Sequence, residues 1–282
     1  MTVPDYFRTA HEELVAGLAH RFEVDADYAM DLVINLPKRE LPDRTDVLEA
    51  AAIAVVGCIT ASEIVADPAA QEAFRAWYAS RIRKISRRAR NIHWERVQEL
   101  PGFTATVTAS APEPAAQAPA PAPAGSPNLA APAPAGGVPL EPRAPAPAAM
   151  VRAFPPEPVG QAHPLLNKLQ IEGTELPPGR PSRPPECGFA LTVDAGLGMT
   201  MGKTAAQVGH ASMLALARLA VDTAWKWAQA GFPLSVSESD SNRFAQLVEL
   251  ASQRSDAVIV RDGGFTEIAP GSLTVVALPS GL

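Results

Sequence analysis

Proline and alanine divide this chain before any other feature does. Between Pro101 and Glu186 lie 22 of its 29 prolines, most of them in Pro-Ala repeats that run to Ala149. Proline locks φ and offers no backbone N–H, and alanine adds little apolar surface, so such a stretch cannot bury a core. The composition predicts a disordered or polyproline-II linker over residues 102–186, flanked by folding units at 1–101 and 187–282. Inside the linker only Leu165 to Leu176, with Leu166, Leu169 and Ile171, has the apolar content to dock on a domain.

The chain carries a net charge of −6. Its pI is near 5.4, so any surface for nucleic acid must be local. Cys58 and Cys187 lie far apart with no metal-ligand spacing, which fits a reduced, cytoplasmic protein without a structural disulfide. Met1 to Arg21 has charges throughout and no apolar core of a signal peptide. Ala50 to Ser62, the longest uncharged apolar stretch, is too short to span a bilayer and suits a buried helix. No membrane partner is expected.

The first unit reads as mainly helical. Asp5 to Phe22 is amphipathic, with Val15, Leu18 and Phe22 on one face. Met30 to Leu36 reads as a strand ended by Pro37, and an alanine-rich helix follows from Asp43 to about Ala66. Asp67-Pro68 is a good helix start, and the pattern predicts a helix from there to about Leu100. Between Arg75 and Arg96 that helix has eight Arg or Lys residues against one acid, Glu95. A long basic bias in an acidic chain points to phosphate contacts, with Arg83, Lys84, Arg87 and Arg88 as the substrate-binding candidates. The competing interpretation is a solvated helix face.

Residues 187–282 read as β-α-β-α-β-β, a three-layer α/β domain with a small mixed sheet. The apolar strand Phe189–Val193 leads through glycines into a small-residue helix that runs to about Ala220. The first amides of such a helix lack intrahelical partners and form an anion site, where Lys203 adds a cation. Lys203, Gln207 and His210 fall at i, i+4 and i+7, on one helix face. A P-loop is excluded by spacing: Gly202-Lys203-Thr204 fits its end, but Gly198 is one residue too near and Gly196 one too far. Farther on, Asp262 ends the strand Ala257–Val260 and enters a loop with Gly263 and Gly264, a common place for catalytic groups.

Two stretches together are more specific than either alone. Met199-Thr200-Met201-Gly202-Lys203-Thr204-Ala205-Ala206-Gln207-Val208-Gly209-His210-Ala211 resembles M-G-K-G-K-x-A-A-Q-x-x-H-A of the archaeal and eukaryotic type of peptidyl-tRNA hydrolase. Asp262 to Thr274 resembles the D-A-G-R-T-Q-I-A-P-G-x-x-T of the same family, in the same order. The resemblance implies hydrolysis of the ester between peptide and tRNA, without a cofactor. It implies Lys203, Asp262, Thr266 and Thr274 as catalytic residues, with Gln207 and His210 beside them for substrate. Asp262 would orient or deprotonate water, helped by Thr266 or Thr274, and Lys203 would stabilise the developing oxyanion or hold Asp262 ionised. The partner implied is tRNA, with a homodimer left open.

The departures are specific. Met201 and Phe265 stand where the family has cations, Glu267 replaces a glutamine, and Gly196 replaces an acid. Cys187 to Leu282 holds six basic and eight acidic residues, net −2, so the basic stretch of the first unit must supply affinity for tRNA. The alternative is an RNA-binding or ribosome-associated module that kept the fold and lost activity with its cations.

Overall fold

The computed structural model describes residues 2–20, 27–108, 147–180, 184–264 and 267–282. Helix α1 (Asp5–Ala19) buries Phe7, Ala10, His11 and Leu14, an i, i+3, i+4, i+7 stripe. The stripe expected through Val15 is displaced, since Val15 is exposed and Leu18 is only partly buried. Phe22 lies outside the described residues. Strand β1 (Tyr28–Asn35) follows as expected. It is buried along its whole middle and explains the weak alternation, since both faces are covered.

Helix α2 (Arg44–Thr60) is capped by Asp43, whose side chain accepts from Thr45 N. It is buried nearly all round, because its own sheet lies on one side and a helix of the C-terminal part on the other. The short α3 (Ser62–Val65) leads to α4 (Pro68–Ala79), started by Asp67 and Pro68.

The basic stretch departs from expectation here. Helix α4 stops at Ala79, Ile82 turns the chain at φ 49, and Arg83–Ala89 is a strand, β2, parallel to β1. The helix ends where Ser80 turns extended, at φ −96 and ψ −159, and the β-branched Ile82 is a strained left-handed position in the turn that follows. Helix α5 (Ile92–Val97) then leads to β3 (Phe103–Val107). Alternation on β2 divides the four candidate cations, Lys84 and Arg88 to one face and Arg83 and Arg87 to the other.

Pairing also shortens the linker. Strand β3 and strand β4 (Ala149–Ala153) fall inside the range assigned to it, yet they form an antiparallel ladder from Phe103↔Ala153 to Val107↔Ala149. Strand β4 also pairs with β1, so the sheet order is β2-β1-β4-β3, with β5 (Glu157–Pro158) at the side of β1. The first unit is thus mainly helical up to residue 101 but also carries a sheet, and in sequence the Pro-Ala repeats fall between β3 and β4. Propensity missed β3 and β4 because each is five residues long and draws its stability from the ladder and from α2. Helix α6 (Pro164–Asn167) buries Leu166, and Leu169 is buried with it. Ile171 is exposed.

The C-terminal part follows the predicted order. Strand β6 (Gly188–Asp194) passes through a 3-10 turn (Ala195–Leu197) into α7 (Met201–Arg218) and α8 (Val221–Gln229). Strand β7 (Leu234–Ser239), α9 (Ser241–Ser252), β8 (Val258–Arg261) and β9 (Leu273–Ser280) complete it. The sheet is mixed, ordered β7-β6-β9-β8, with β6 parallel to β7 and antiparallel to β9.

One contact organises both sheets. Helices α2 and α7 pack along their lengths, and the backbone of Gly209 lies so close to Val55 that an added Cβ would stand 2.7 Å from its Cγ2. Beside it Ser212 Oγ donates to Ala52 O at 2.8 Å. Arg44 adds a two-pronged ion pair across the boundary, Nε to Glu238 Oε2 and Nη2 to Glu238 Oε1, both 2.9 Å. One apolar cluster runs through both parts, from Phe7 and Leu48 to Phe189 and Val275. A protease site introduced between residues 109 and 146 tests this connectivity. After cleavage the two pieces should elute together in gel filtration without denaturant, because the β3–β4 ladder and the α2–α7 contact hold them. Pieces that separate would contradict it.

Candidate active site

Helix α7 presents its first turns to a cleft of about 1120 Å³ between the two sheets. Thr200 caps the helix, its Oγ1 accepting from Lys203 N at 3.2 Å. The open anion site expected at this helix end is instead met by carboxylates of the chain itself. Glu267 accepts from Thr200 N and Oγ1 at 2.9 and 2.7 Å, and Glu175 Oε1 accepts from Met201 N at 3.0 Å. Both stabilise the positive end of the helix dipole. Met201, at the place of a family lysine, is fully buried in the core.

Past that cap, the helix face carries the polar groups. Lys203 Nζ donates to Asp262 Oδ2 at 2.5 Å, and Gln207 Nε2 donates to the same oxygen at 2.6 Å. Thr274 Oγ1 donates to Gln207 Oε1 at 2.7 Å, which fixes the orientation of the amide. Asp262 Oδ1 accepts from Gly264 N at 2.7 Å, so the carboxylate orders its loop and faces Lys203 at once. Backbone bonds from Asp262 N to Ser272 O and from Gly271 N to Asp262 O close the base of that loop. The result is a chain of four side chains from α7, the end of β8 and β9, with Asp262 and Thr274 buried.

Burial gives these bonds their weight. A carboxylate and an ammonium removed from water lose hydration, and the pair is held only if each remaining lone pair finds a donor. Gln207 and Gly264 supply those donors here. Lys203 keeps a side-chain exposure of 10% against 3% for Asp262, so the ammonium is the member that still reaches the cleft.

The predicted residues are not all brought together. Lys203, Asp262, Gln207, His210, Arg83 and Lys84 line the cleft, and Thr274 lies beneath it through Gln207. Thr266 lies outside the described residues. Lys84 Nζ stands 3.2 Å from His210 Nδ1. Arg83 pairs with Asp27 at 3.0 Å. Arg87 is buried against Asp31 at 2.6 Å, on the sheet face away from α7. Burial raises the Asp31 carboxyl above its ordinary value despite the guanidinium beside it. Arg88 contacts Gly173 O and Gln170 Oε1.

Sequence reasoning missed Thr174 and Glu175, which line the cleft from the stretch after α6. Their only signal was adjacency to Leu176, the end of the segment expected to dock. Arg81, Lys84, Lys203 and Arg261 line the opening together with Glu172, Glu175, Asp262 and Glu267, while the Arg83 side chain pairs with Asp27 on the other face of β2. Two of those cations come from β2 and the turn before it.

A mixed four-stranded sheet with a helix-borne lysine against a buried loop aspartate, and no nucleotide-type glycine loop, defines an α/β domain suited to side-chain-assisted hydrolysis. Sequence comparison places it: the family model for peptidyl-tRNA hydrolase PTH2 matches residues 187–281. A peptidyl-tRNA hydrolase of Haloquadratum walsbyi is 33% identical over 93 residues, covering 32% of this chain and 81% of that protein. One of Methanopyrus kandleri is 35% identical over 92 residues, covering 31% of this chain and 79% of that protein. Through this C-terminal part the chain belongs to the peptidyl-tRNA hydrolase family.

The buried network makes a stability prediction. Thr274→Val keeps the volume but leaves Gln207 Oε1 without its donor, which should cost about 1–3 kcal/mol and lower Tm by several degrees. Thr274→Ser should keep most of the stability. Calorimetry showing equal Tm for wild type and Thr274→Val would contradict the network.

Proposed function

We infer that this chain hydrolyses the ester between a peptide carboxyl and the terminal ribose of tRNA, releasing free tRNA and peptide. The carrying observation is the convergence of Lys203, Gln207 and Asp262, all within the matched family region, on one oxygen beside an open cleft. Asp262 holds a water and takes its proton as the water oxygen attacks the ester carbonyl carbon. The carbonyl becomes an oxyanion that the Lys203 ammonium stabilises with a donor not engaged by Asp262. Collapse breaks the bond to the ribose oxygen, which takes the proton back from Asp262, and the peptide leaves as a carboxylic acid that loses its remaining proton to solvent. Thr274 acts by positioning Gln207, and Gln207 by holding Asp262.

The cations of β2 and the preceding turn border the same cleft, so affinity for the polyanion draws on both parts of the chain. In this reading the basic stretch binds as a strand edge rather than as a helix. A homodimer is not needed to build the cleft, because α2 already covers α7. Among the described residues no helix is long and apolar enough to cross a membrane, which is consistent with work on translation in the cytoplasm. The retained quartet disfavours a binding module without activity.

Asp262→Asn tests the assignment. The substitution keeps shape and one acceptor but removes the base, and kcat for peptidyl-tRNA should fall by on the order of 10² or more. A kcat within a few-fold of wild type would reduce Asp262 to a turn residue.

A further inference from the structure

We propose that the N-terminal part is a second copy of the catalytic fold whose own site has been closed, and that it now contributes Lys84 to the one retained cleft. The substrate in this inference rests on the hydrolase reading; the internal repeat does not.

The repeat is visible in topology and register. Sheet order β2-β1-β4-β3 has the same pairing directions as β7-β6-β9-β8, parallel for the first pair and antiparallel for the others. Leu32 lies between Ser86 and Ala153 as Leu191 lies between Val236 and Ala277. Ala105↔Val151 corresponds to Val260↔Val275. Helices α2 and α7 follow the equivalent strands, and each packs on its own sheet and on the edge strand of the other, α2 on β7 and α7 on β2.

The contact between the copies is isologous. Counted from the helix starts at Arg44 and Met201, Ala52 matches Gly209 and Val55 matches Ser212. Gly209 meets Val55, and Ser212 meets Ala52, so each position faces the other's counterpart in both directions. That reciprocity is the signature of a two-fold axis between like units.

The two clefts related by this axis differ in chemistry. On α2 the counterparts of Lys203 and Gln207 are Asp46 and Ala50. Arg180 closes that end, donating to Asp46 at 2.9 Å and to Asp43 at 3.2 Å, while Thr45 Oγ1 donates to Arg180 O at 2.8 Å. An anionic substrate would meet carboxylates there. The counterparts of Lys84 and His210 are Leu234 and Ile53, both packed in the apolar core. Among the described residues the α2 side thus carries carboxylates and apolar groups where the α7 side carries cations, an amide and an imidazole. In the kept cleft Lys84 comes from the opposite copy, held over the Trp77 ring at 4.8 Å and against His210 at 3.2 Å. Its charge faces the opening that also holds Lys203. Lys84 is a binding residue for a phosphate of the tRNA end, and it takes no part in the chemical step.

Kinetics of the full chain test this. Lys84→Met, which keeps a side chain of similar length without the charge, should raise KM for peptidyl-tRNA about tenfold, leave kcat within about twofold, and make the salt dependence shallower by about one counterion. Lys84→Arg should restore most of the affinity, and Arg254→Ala, away from the cleft, should match wild type. A KM unchanged by Lys84→Met, or an equal rise in Arg254→Ala, would overturn the proposal. If the wild-type chain fails to hydrolyse peptidyl-tRNA, the hydrolase reading falls by itself. Binding of deacylated tRNA by fluorescence anisotropy then decides the Lys84 question, and equal Kd for wild type and Lys84→Met overturns it.

Discussion

The close approach of α2 and α7 is the constraint on which the rest of the structure depends. Gly209 lets the two backbones come together, and the sheets on either side are carried with them. Because of that approach β2 lies over the start of α7, where Ser86 Oγ donates to Gly202 O at 2.6 Å. The same placement brings a basic strand of one sheet to the lysine and aspartate of the other. The cleft is therefore a consequence of helix packing, and neither sheet builds it alone.

Within the cleft, the ion pair of Lys203 and Asp262 concentrates the cost and the use of burial. Isolated, a buried carboxylate would be expelled or neutralised; paired and given two further donors it is tolerated at a fixed position. The exposed member of the pair is the cation, which suits a reaction that develops negative charge. Arg81, from the turn before β2, and Lys84, from β2 itself, line the same cleft.

The C-terminal fold and its site were legible because their signals are local. Strand, glycine turn and helix are contiguous, and Lys203, Gln207 and His210 share a face by helical spacing alone. Asp262 stood out as a strand end in a glycine loop, but its bonds to Lys203 and Gln207 needed the fold. The N-terminal sheet was not legible because its determinants are distant. Nothing in Arg83-Lys84-Ile85-Ser86-Arg87-Arg88 separates a basic helix from a strand until β1 offers it a parallel partner. Likewise β3 and β4 are separated by the Pro-Ala repeats, so each looked like the margin of a linker rather than half of a ladder. The helix cap by Glu175 was hidden for the same reason, being supplied from 26 residues away.

If one chain closes a single working cleft, calorimetric titration with a non-hydrolysable amide analogue of a peptidyl-adenosine end should show one ligand bound per chain of 29.6 kDa. Two per chain would mean that the α2 side has kept a site, and one per two chains would mean that the cleft is shared between molecules; either would contradict it.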